Sequence, residues 1–176
     1  PGAQGADLTL SMDSALQNEA ISLLGEQSGS VVMMDVNSGE VLTIASAPTF
    51  NPNQFTVGLS QREWDGLLDD QRKPLINKAI AGQYAPGSTV KMLIAIAGLE
   101  EKVITPEEKI VCEGQYELGG DTFHCWEHEG HGPMNMHDAI TNSCDVYFYE
   151  LARRLGIDPI ERVAKKFGLG KPSIPG

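Results

Sequence analysis

Apolar residues recur at helical or alternating spacing over much of the chain, and these stretches define the predicted elements. Apolar positions three or four residues apart predict amphipathic helices, and β-branched runs on either side of a turn sequence predict a hairpin. The pattern predicts helices over 13–24, 90–100, 138–155 and 158–167, and paired strands over 30–36 and 41–46. Gly25 and Gly156 follow two of these helices and are placed as helix stops.

Three other stretches lack a clear period. Residues 1–7 are small or polar, which predicts a flexible lead-in. Residues 47–86 contain four prolines and predict loops with one short helix near 63–68. Residues 111–137 contain five glycines and are long for an unstructured segment of a compact domain. We therefore expect some additional constraint to hold the 111–137 segment.

Composition adds limits on the function. A chain of 176 residues with 41% hydrophobic content can form a core of about one domain. The net charge of −11 argues against nucleic acid or an anionic membrane surface as a partner. The sequence contains neither an 18-residue apolar run nor a signal-peptide pattern.

Ser88 is the first candidate for chemistry. A serine hydroxyl is a weak nucleophile at neutral pH until a nearby base takes its proton. Lys91 follows three residues later, so on a helix the two side chains share a face, and a desolvated lysine near a helix start can be that base. This S-x-x-K spacing is typical of penicillin-interacting serine enzymes. The alternative is that Ser88 merely caps a helix and Lys91 is solvated.

A second candidate element is the triplet Ser143-Cys144-Asp145, on a loop that enters a helix from Val146 to Leu155. Taken alone, the triplet is more typical of a capping pair before a helix. Two such motifs, each preceding an apolar helix, together favour an acyl-serine enzyme, because these enzymes place an S-x-N or S-x-D triplet opposite the nucleophile. There it relays protons and contacts the substrate amide.

On these motifs the chain resembles the transpeptidase domain of the penicillin-binding proteins, and among them the penicillin-binding protein 2 subfamily of the cell-elongation machinery. Gly130-His131-Gly132 and an aspartate as the third triplet residue favour the elongation type. Further resemblance lies in the stretches 8–17, 29–55 and 74–79. The resemblance implies an α+β fold in which an antiparallel sheet is flanked by helices.

The family's third motif, Lys-Ser-Gly or Lys-Thr-Gly on a C-terminal strand, does not occur in this sequence. We therefore expect residues 1–176 to be a partial transpeptidase domain that is catalytically incomplete by itself.

The resemblance also implies a mechanism. Ser88 attacks the penultimate carbonyl of a peptidoglycan stem peptide ending in D-Ala-D-Ala, and Lys91 takes its proton. Ser143 shuttles a proton to the leaving nitrogen, and Asp145 orients the substrate amide. An amine of a neighbouring stem peptide then attacks the acyl-enzyme and forms the cross-link, whereas a β-lactam leaves Ser88 stably acylated.

Other expectations follow from the resemblance alone. The protein needs no organic cofactor, lies in the bacterial inner membrane with this domain facing the periplasm, and has elongation-machinery membrane proteins as partners. Three alternatives stay open: a serine β-lactamase, a penicillin sensor domain, and a scaffold module without activity. The rate of deacylation separates the β-lactamase from the other acylating candidates.

The three cysteines and one histidine define a candidate metal site. Cys112, Cys125, His131 and Cys144 supply three thiolates and an imidazole, a ligand set that suits tetrahedral zinc. The loose spacing is a weak signal for a metal and by itself favours a disulfide plus a free thiol. His124 or His128 could replace His131, and His137 is expected near a helix start. Relatives in the subfamily can carry zinc in this loop, and the resemblance places its ligands at those four residues, within a zinc-binding region over 111–144.

Overall fold

The computed structural model describes residues 5–171. These residues divide into two compact units, one up to Tyr84 and one from Ala85 onward. The first unit contains α1 (Ser14–Leu24), β1 (Gly29–Met34), β2 (Val41–Ala47), α2 (Asn53–Val57), α3 (Gln61–Asp69) and α4 (Lys78–Ala81). The second contains α5 (Lys91–Glu100), β3 (Ile110–Cys112), β4 (Gln115–Leu118), β5 (Asp121–His124), β6 (Gly132–Met134), α6 (Met136–Thr141), α7 (Asp145–Leu155) and α8 (Ile157–Lys166).

In the first unit, α1 packs on the β1–β2 hairpin. The Asp13 carboxylate caps α1 by accepting hydrogen bonds from the N–H groups of Ala15 and Leu16. The Gln17 side chain then bonds both backbone groups of Ile44, donating to its carbonyl at 3.0 Å and accepting from its N–H at 2.9 Å. This contact fixes the helix against the free edge of β2.

The core of the second unit forms where α5, α7 and the short strands meet. Tyr147 and Leu151 on α7 are fully buried beside Ile104 and Ala95. A Cβ at Gly98 of α5 would lie 3.0 Å from a Leu151 methyl group, so the two helices approach closely at this glycine.

Three two-stranded antiparallel sheets are present in the described residues: β1–β2, β3–β6 and β4–β5. Helices together with antiparallel strands confirm the predicted α+β class. Over the same residues, no helix is long and apolar enough to cross a membrane.

The predicted helices and the hairpin are observed with shifts of a few residues, and three expectations are corrected. The continuous helix expected over 138–155 is wrong: it is two helices, α6 and α7, interrupted at 142–144, and the loop expected at the triplet before a helix ending at Leu155 is present. The 111–137 segment contains four short strands or parts of them, and the loops over 47–86 contain α2 and α4 besides the predicted α3. Of the expected lead-in, residues 1–4 lie outside the described residues, and 5–7 have no regular structure.

Candidate active site and metal-binding cluster

Ser88 lies in a turn of 3₁₀ helix, Gly87–Val90, that leads directly into α5. The N-terminal cap of this turn is Pro86, and the cap of α5 is Val90, neither with a side-chain capping bond. Ser88 is therefore not a helix cap, and its hydroxyl is not committed to the helix backbone. The alternative interpretation of this serine as a capping residue does not fit the geometry.

Lys91 begins α5 and is only 8% exposed. Its Nζ donates to the Ser143 carbonyl at 2.7 Å, to Ser143 Oγ at 3.0 Å and to Asp145 Oδ1 at 2.6 Å. The Nζ also lies 5.8 Å from the centre of the Phe148 ring. The lysine is thus held by the triplet, and the alternative of a solvated helix charge does not fit.

Ser143 Oγ donates a hydrogen bond to Ser88 Oγ at 2.9 Å, across 55 residues of sequence. Since the same Oγ contacts Lys91 Nζ, one hydrogen-bonded path runs from Ser88 through Ser143 to Lys91. Among residues 5–171, no direct hydrogen bond joins Lys91 to Ser88, so the contact expected between them runs through Ser143.

Asp145 is the first residue of α7 and uses both carboxylate oxygens. Oδ1 accepts from Lys91, and Oδ2 accepts from the backbone N–H of Trp126 at 3.1 Å. Cys144 is the cap of α7 without a side-chain capping bond, so the triplet does not act as a capping pair. The structure thus brings Ser88, Lys91, Ser143 and Asp145 together, and their catalytic roles stay predictions.

A cavity of about 310 Å³ opens beside these residues. Ser88, Lys91 and Asp145 form its polar side, and its apolar side is lined by Ile94, Phe148, Tyr149 and Ala152. A site with a few convergent polar groups on an apolar wall is the usual form of a small-molecule site. Such a cavity could hold part of an acyl substrate next to the nucleophile.

The sequence did not single out Trp126. It belongs to the aperiodic 111–137 segment and is exposed over 57% of its surface, so neither periodicity nor burial marks it. Its importance comes from contacts with residues 16 and 19 positions away, which a local pattern cannot show.

The four predicted metal ligands form one cluster. The ligand atoms of Cys112, Cys125, His131 and Cys144 all lie within 4.8 Å of one another, and the three cysteines are buried and reduced. His124 and His128 do not belong to this cluster in the described structure, and His137 lies in α6. The disulfide that the spacing left open is not formed.

The distances within the cluster match a bound zinc ion. Zinc–sulfur bonds of about 2.3 Å and a zinc–nitrogen bond of about 2.0 Å place the nitrogen of a tetrahedral site about 3.5 Å from each sulfur. His131 Nδ1 lies 3.6 Å from Cys112 Sγ and 3.5 Å from Cys125 Sγ. Nδ1 is therefore the His131 nitrogen that faces the sulfurs, and the donor set fits a zinc ion.

Two cysteines show opposite pKa shifts. Burial pushes the pKa of the Cys125 thiol upward, but N–H groups of Glu127, Asp145 and Val146 directed at the sulfur outweigh it and leave the pKa below its ordinary value. Burial raises the pKa of Cys144 to about 12, with the neighbouring sulfurs of Cys112 and Cys125 adding to the shift. Such a thiol stays protonated at neutral pH unless a cation binds it.

Two glycines allow the cluster to form. A Cβ at Gly114 would lie 2.1 Å from the carbonyl oxygen of His128. A Cβ at Gly130 would lie 2.3 Å from the carbonyl oxygen of Cys112. Both have positive φ, +84° and +81°, which favours glycine. The crossing of these two backbone segments brings Cys112 next to His131.

Comparisons with known proteins place this geometry in context. Residues 29–175 match the penicillin binding protein transpeptidase domain. Peptidoglycan D,D-transpeptidase MrdA of Acinetobacter baumannii is 41% identical over 170 residues, which is 96% of this chain and 25% of the relative. MrdA of Escherichia coli K12 is 36% identical over 97% of this chain and 27% of its own length. The chain thus spans about a quarter of the curated relatives it matches.

Solved structures agree with the sequence relatives. Pseudomonas aeruginosa PBP2, in a complex with WCK 5153, is 38% identical and superposes with a TM-score of 0.85, covering 92% of this chain and 37% of that one. Helicobacter pylori PBP2, in a complex with MreC, is 37% identical with a TM-score of 0.85, covering 91% of this chain and 30% of that one.

Proposed function

The chain belongs to the penicillin-binding protein transpeptidase domain family, and from this premise we propose that Ser88 is the acylated nucleophile of a peptidoglycan D,D-transpeptidase of the elongation type. The observation that carries the proposal is the hydrogen-bonded path from Ser88 Oγ through Ser143 Oγ to Lys91 Nζ. An activated nucleophile needs a base within hydrogen-bond reach, and this path supplies one through a single hydroxyl.

The path defines the acylation step. With Lys91 as the neutral amine, the two hydroxyl hydrogens rotate so that Ser88 donates to Ser143 and Ser143 donates to Lys91, the reverse of the resting direction. Ser88 Oγ then attacks the penultimate carbonyl of a D-Ala-D-Ala stem peptide while its proton moves to Ser143 Oγ, and the Ser143 proton passes to Lys91 Nζ. The tetrahedral intermediate then breaks the peptide bond, and the proton returns through Ser143 to the leaving amine of D-alanine. The Ser88 backbone N–H is one donor to the developing oxyanion.

The acyl-enzyme is resolved by an amine of a second stem peptide, which forms the new amide and frees Ser88. Asp145 contributes by holding Lys91, since its Oδ1 lies 2.6 Å from Nζ. Each carboxylate oxygen keeps a further lone pair, so the amide contact expected from the family remains possible. A β-lactam enters the same path and stops at the acyl-enzyme.

The acylation proposal is tested with a fluorescent penicillin on the whole gene product. Wild-type protein is expected to label and deacylate slowly, and Ser88→Ala is expected not to label. Lys91→Ala should label about 10²–10⁴-fold more slowly, because general-base assistance is lost. The matched control is Lys109→Ala, an exposed lysine outside the site, which should label at the wild-type rate. Rapid hydrolysis of the penicillin would contradict the proposal and favour a β-lactamase. The absence of any labelling would contradict it and favour a scaffold module without activity.

We further propose that Cys112, Cys125, His131 and Cys144 hold one structural zinc ion. The support is the nitrogen–sulfur spacing of 3.5–3.6 Å and the mutual proximity of all four ligand atoms. Four protein ligands leave no open position, so the metal would stabilise the loop and supply no reactive water. Cys144 lies within the triplet, so a metal there would also restrain the backbone between Ser143 and Asp145.

Elemental analysis of chain purified without chelator is expected to give one zinc per chain, and Cys112→Ser is expected to lose it. His124→Ala is the matched control and should retain it. Removing the metal should lower the free energy of unfolding, by ~2.7 kcal/mol when free zinc had been about 100-fold above its Kd. Metal-free protein with a Cys112–Cys125 disulfide and unchanged stability would contradict the zinc site.

The cellular setting is proposed on the same premise. Because the substrate is peptidoglycan, we place the protein at the bacterial inner membrane with this domain facing the periplasm, among membrane proteins of the elongation machinery. The H. pylori relative whose structure is a complex with MreC supports a protein partner of this kind.

A further inference from the structure

We propose that Trp126 is a positioning residue that holds the Ser143-Cys144-Asp145 triplet in its reactive geometry, an inference that rests on the proposed acyl-serine chemistry. Trp126 donates two hydrogen bonds, one to the residue that precedes the triplet and one to the last residue of the triplet. Its indole Nε1–H donates to the Asn142 carbonyl at 3.0 Å, and its backbone N–H donates to Asp145 Oδ2 at 3.1 Å.

The triplet needs such support because its backbone is strained. Ser143 has a φ of +50°, in the left-handed region that residues with a side chain seldom adopt. Residues in this region persist only where the surrounding structure over-determines them. In this conformation Ser143 Oγ faces Ser88 while its carbonyl faces Lys91. Relaxation of φ would turn both groups away from their partners.

The turn at 142–144, between α6 and α7, is held by hydrogen bonds with α6, with Lys91 and with Trp126. The Ser143 and Cys144 N–H groups bond back to Ile140 and Ala139 of α6, and the Ser143 carbonyl is held by Lys91. The Asn142 carbonyl, immediately before Ser143, has the Trp126 indole as its hydrogen-bond partner. The peptide unit between Asn142 and Ser143, whose rotation would release φ of Ser143, is therefore restrained at its N–H by Ile140 and at its carbonyl by the Trp126 side chain.

The indole has no comparable role in the core. It is 57% exposed, and its ring meets the His131 imidazole edge-on, with the centroids 5.2 Å apart. An exposed aromatic residue whose only ring N–H bonds to the strained turn before Ser143 is placed to position that turn. The geometry separates this role from general packing, because the role depends on one N–H and packing depends on the ring.

The first test separates the acylation rate constant from the affinity of the preceding non-covalent complex, using a chromogenic β-lactam on the whole gene product. Trp126→Phe keeps an aromatic ring and removes the donor. We expect the acylation rate constant to fall about tenfold, the effect of one lost hydrogen bond, while the affinity of the non-covalent complex stays within about twofold. Trp64→Phe is the matched control and should leave both unchanged.

Replacing the indole of Trp126 with analogues that keep or lack the ring N–H tests whether that donor alone restores the acylation rate. In a protein whose other tryptophans, Trp64 included, are changed to phenylalanine, Trp126 is replaced biosynthetically by 7-azatryptophan, which keeps the ring N–H, or by benzothienylalanine, which has sulfur in its place. The first is expected to retain the wild-type rate within about threefold, and the second to reproduce Trp126→Phe. Equal acylation rates for the two analogues, or a Trp126→Phe protein that loses affinity alone, would overturn the proposal.

A third readout does not depend on acylation. In a ¹⁵N-labelled chain, the indole proton of Trp126 should exchange with water at least about tenfold more slowly than that of Trp64, although Trp126 is the more exposed of the two. Slow exchange without penicillin labelling of the wild-type protein would retain the bond to the turn and reject the proposed function. Equally fast exchange of both indole protons, with normal labelling, would reject the role of Trp126 alone.

Discussion

At Ser143 a φ of +50° and a hydroxyl 2.9 Å from Ser88 Oγ occur in the same residue. A glycine would adopt that φ without cost, but it would lack the hydroxyl that joins Ser88 to Lys91. The serine thus keeps a strained backbone in order to place its Oγ, and Lys91 and Trp126 hold it there. Strain of this kind is characteristic of functional sites.

Two substitutions at Ser143 separate these contributions. Ser143→Ala and Ser143→Gly both remove the hydroxyl, so both should slow penicillin acylation by about 10²–10⁴-fold. Only the glycine relieves the backbone, so Ser143→Gly should unfold with a free energy ~1 kcal/mol higher than Ser143→Ala. Stopped-flow acylation and urea unfolding measure the two quantities. Wild-type acylation by either variant would remove Ser143 from the proton path.

At the scale of elements, α7 connects the triplet with an ion-pair network on its far side. Glu150 accepts hydrogen bonds from Arg153, Arg154 and the Tyr116 hydroxyl of β4. The bond from Arg153, followed by those from Arg154 and Tyr116, lowers the pKa of Glu150 from 4.5 to about 2. The network fixes α7 relative to the β4–β5 hairpin.

The pKa of Glu150 gives a stability change in acid. The folded pKa lies below the unfolded one, so the stabilisation is fully present above pH 4.5 and is lost as the pH falls from 4.5 towards 2. Glu150→Gln should therefore flatten the acid decline in the free energy of unfolding over that range. Glu161→Gln, in the exposed pair with Lys165, is the control and should follow the wild-type curve closely. Coincident curves for wild type and Glu150→Gln would reject the network as a stabilising contact.

The same elements show what the sequence could predict. Local apolar spacing was enough to predict α1, α5 and α8, because each of these helices buries one face or is apolar along nearly its whole length. The loop between α6 and α7 fits the polar residues at 141–145 and was expected at the triplet. Its positive φ at Ser143 and its contacts with Lys91 and Trp126 could not be predicted, because those two residues lie 52 and 16 positions away from their partners. Strands β3 to β6 are three or four residues long, too short to show a period.

At the scale of the whole molecule, the family could be recognised because its motifs are local in sequence, and residues 29–175 match it. The four metal-ligand candidates could be selected by residue type and by the family resemblance, which already named His131. The structure groups these four residues together and identifies Nδ1 as the inward-facing nitrogen. The position of Trp126 had no local signal. Both the candidate active site and the metal cluster lie in the unit that begins at Ala85.

Whether Ser88 is the acylated residue can be read directly from the mass of its peptides after penicillin treatment. The whole gene product is incubated with benzylpenicillin, digested with pepsin in acid to preserve the ester, and analysed by tandem mass spectrometry. We expect one penicilloyl adduct, on the peptide containing Ser88, and none in the Ser88→Ala protein. An adduct on Ser143, or the same adduct yield in Ser88→Ala, would contradict it.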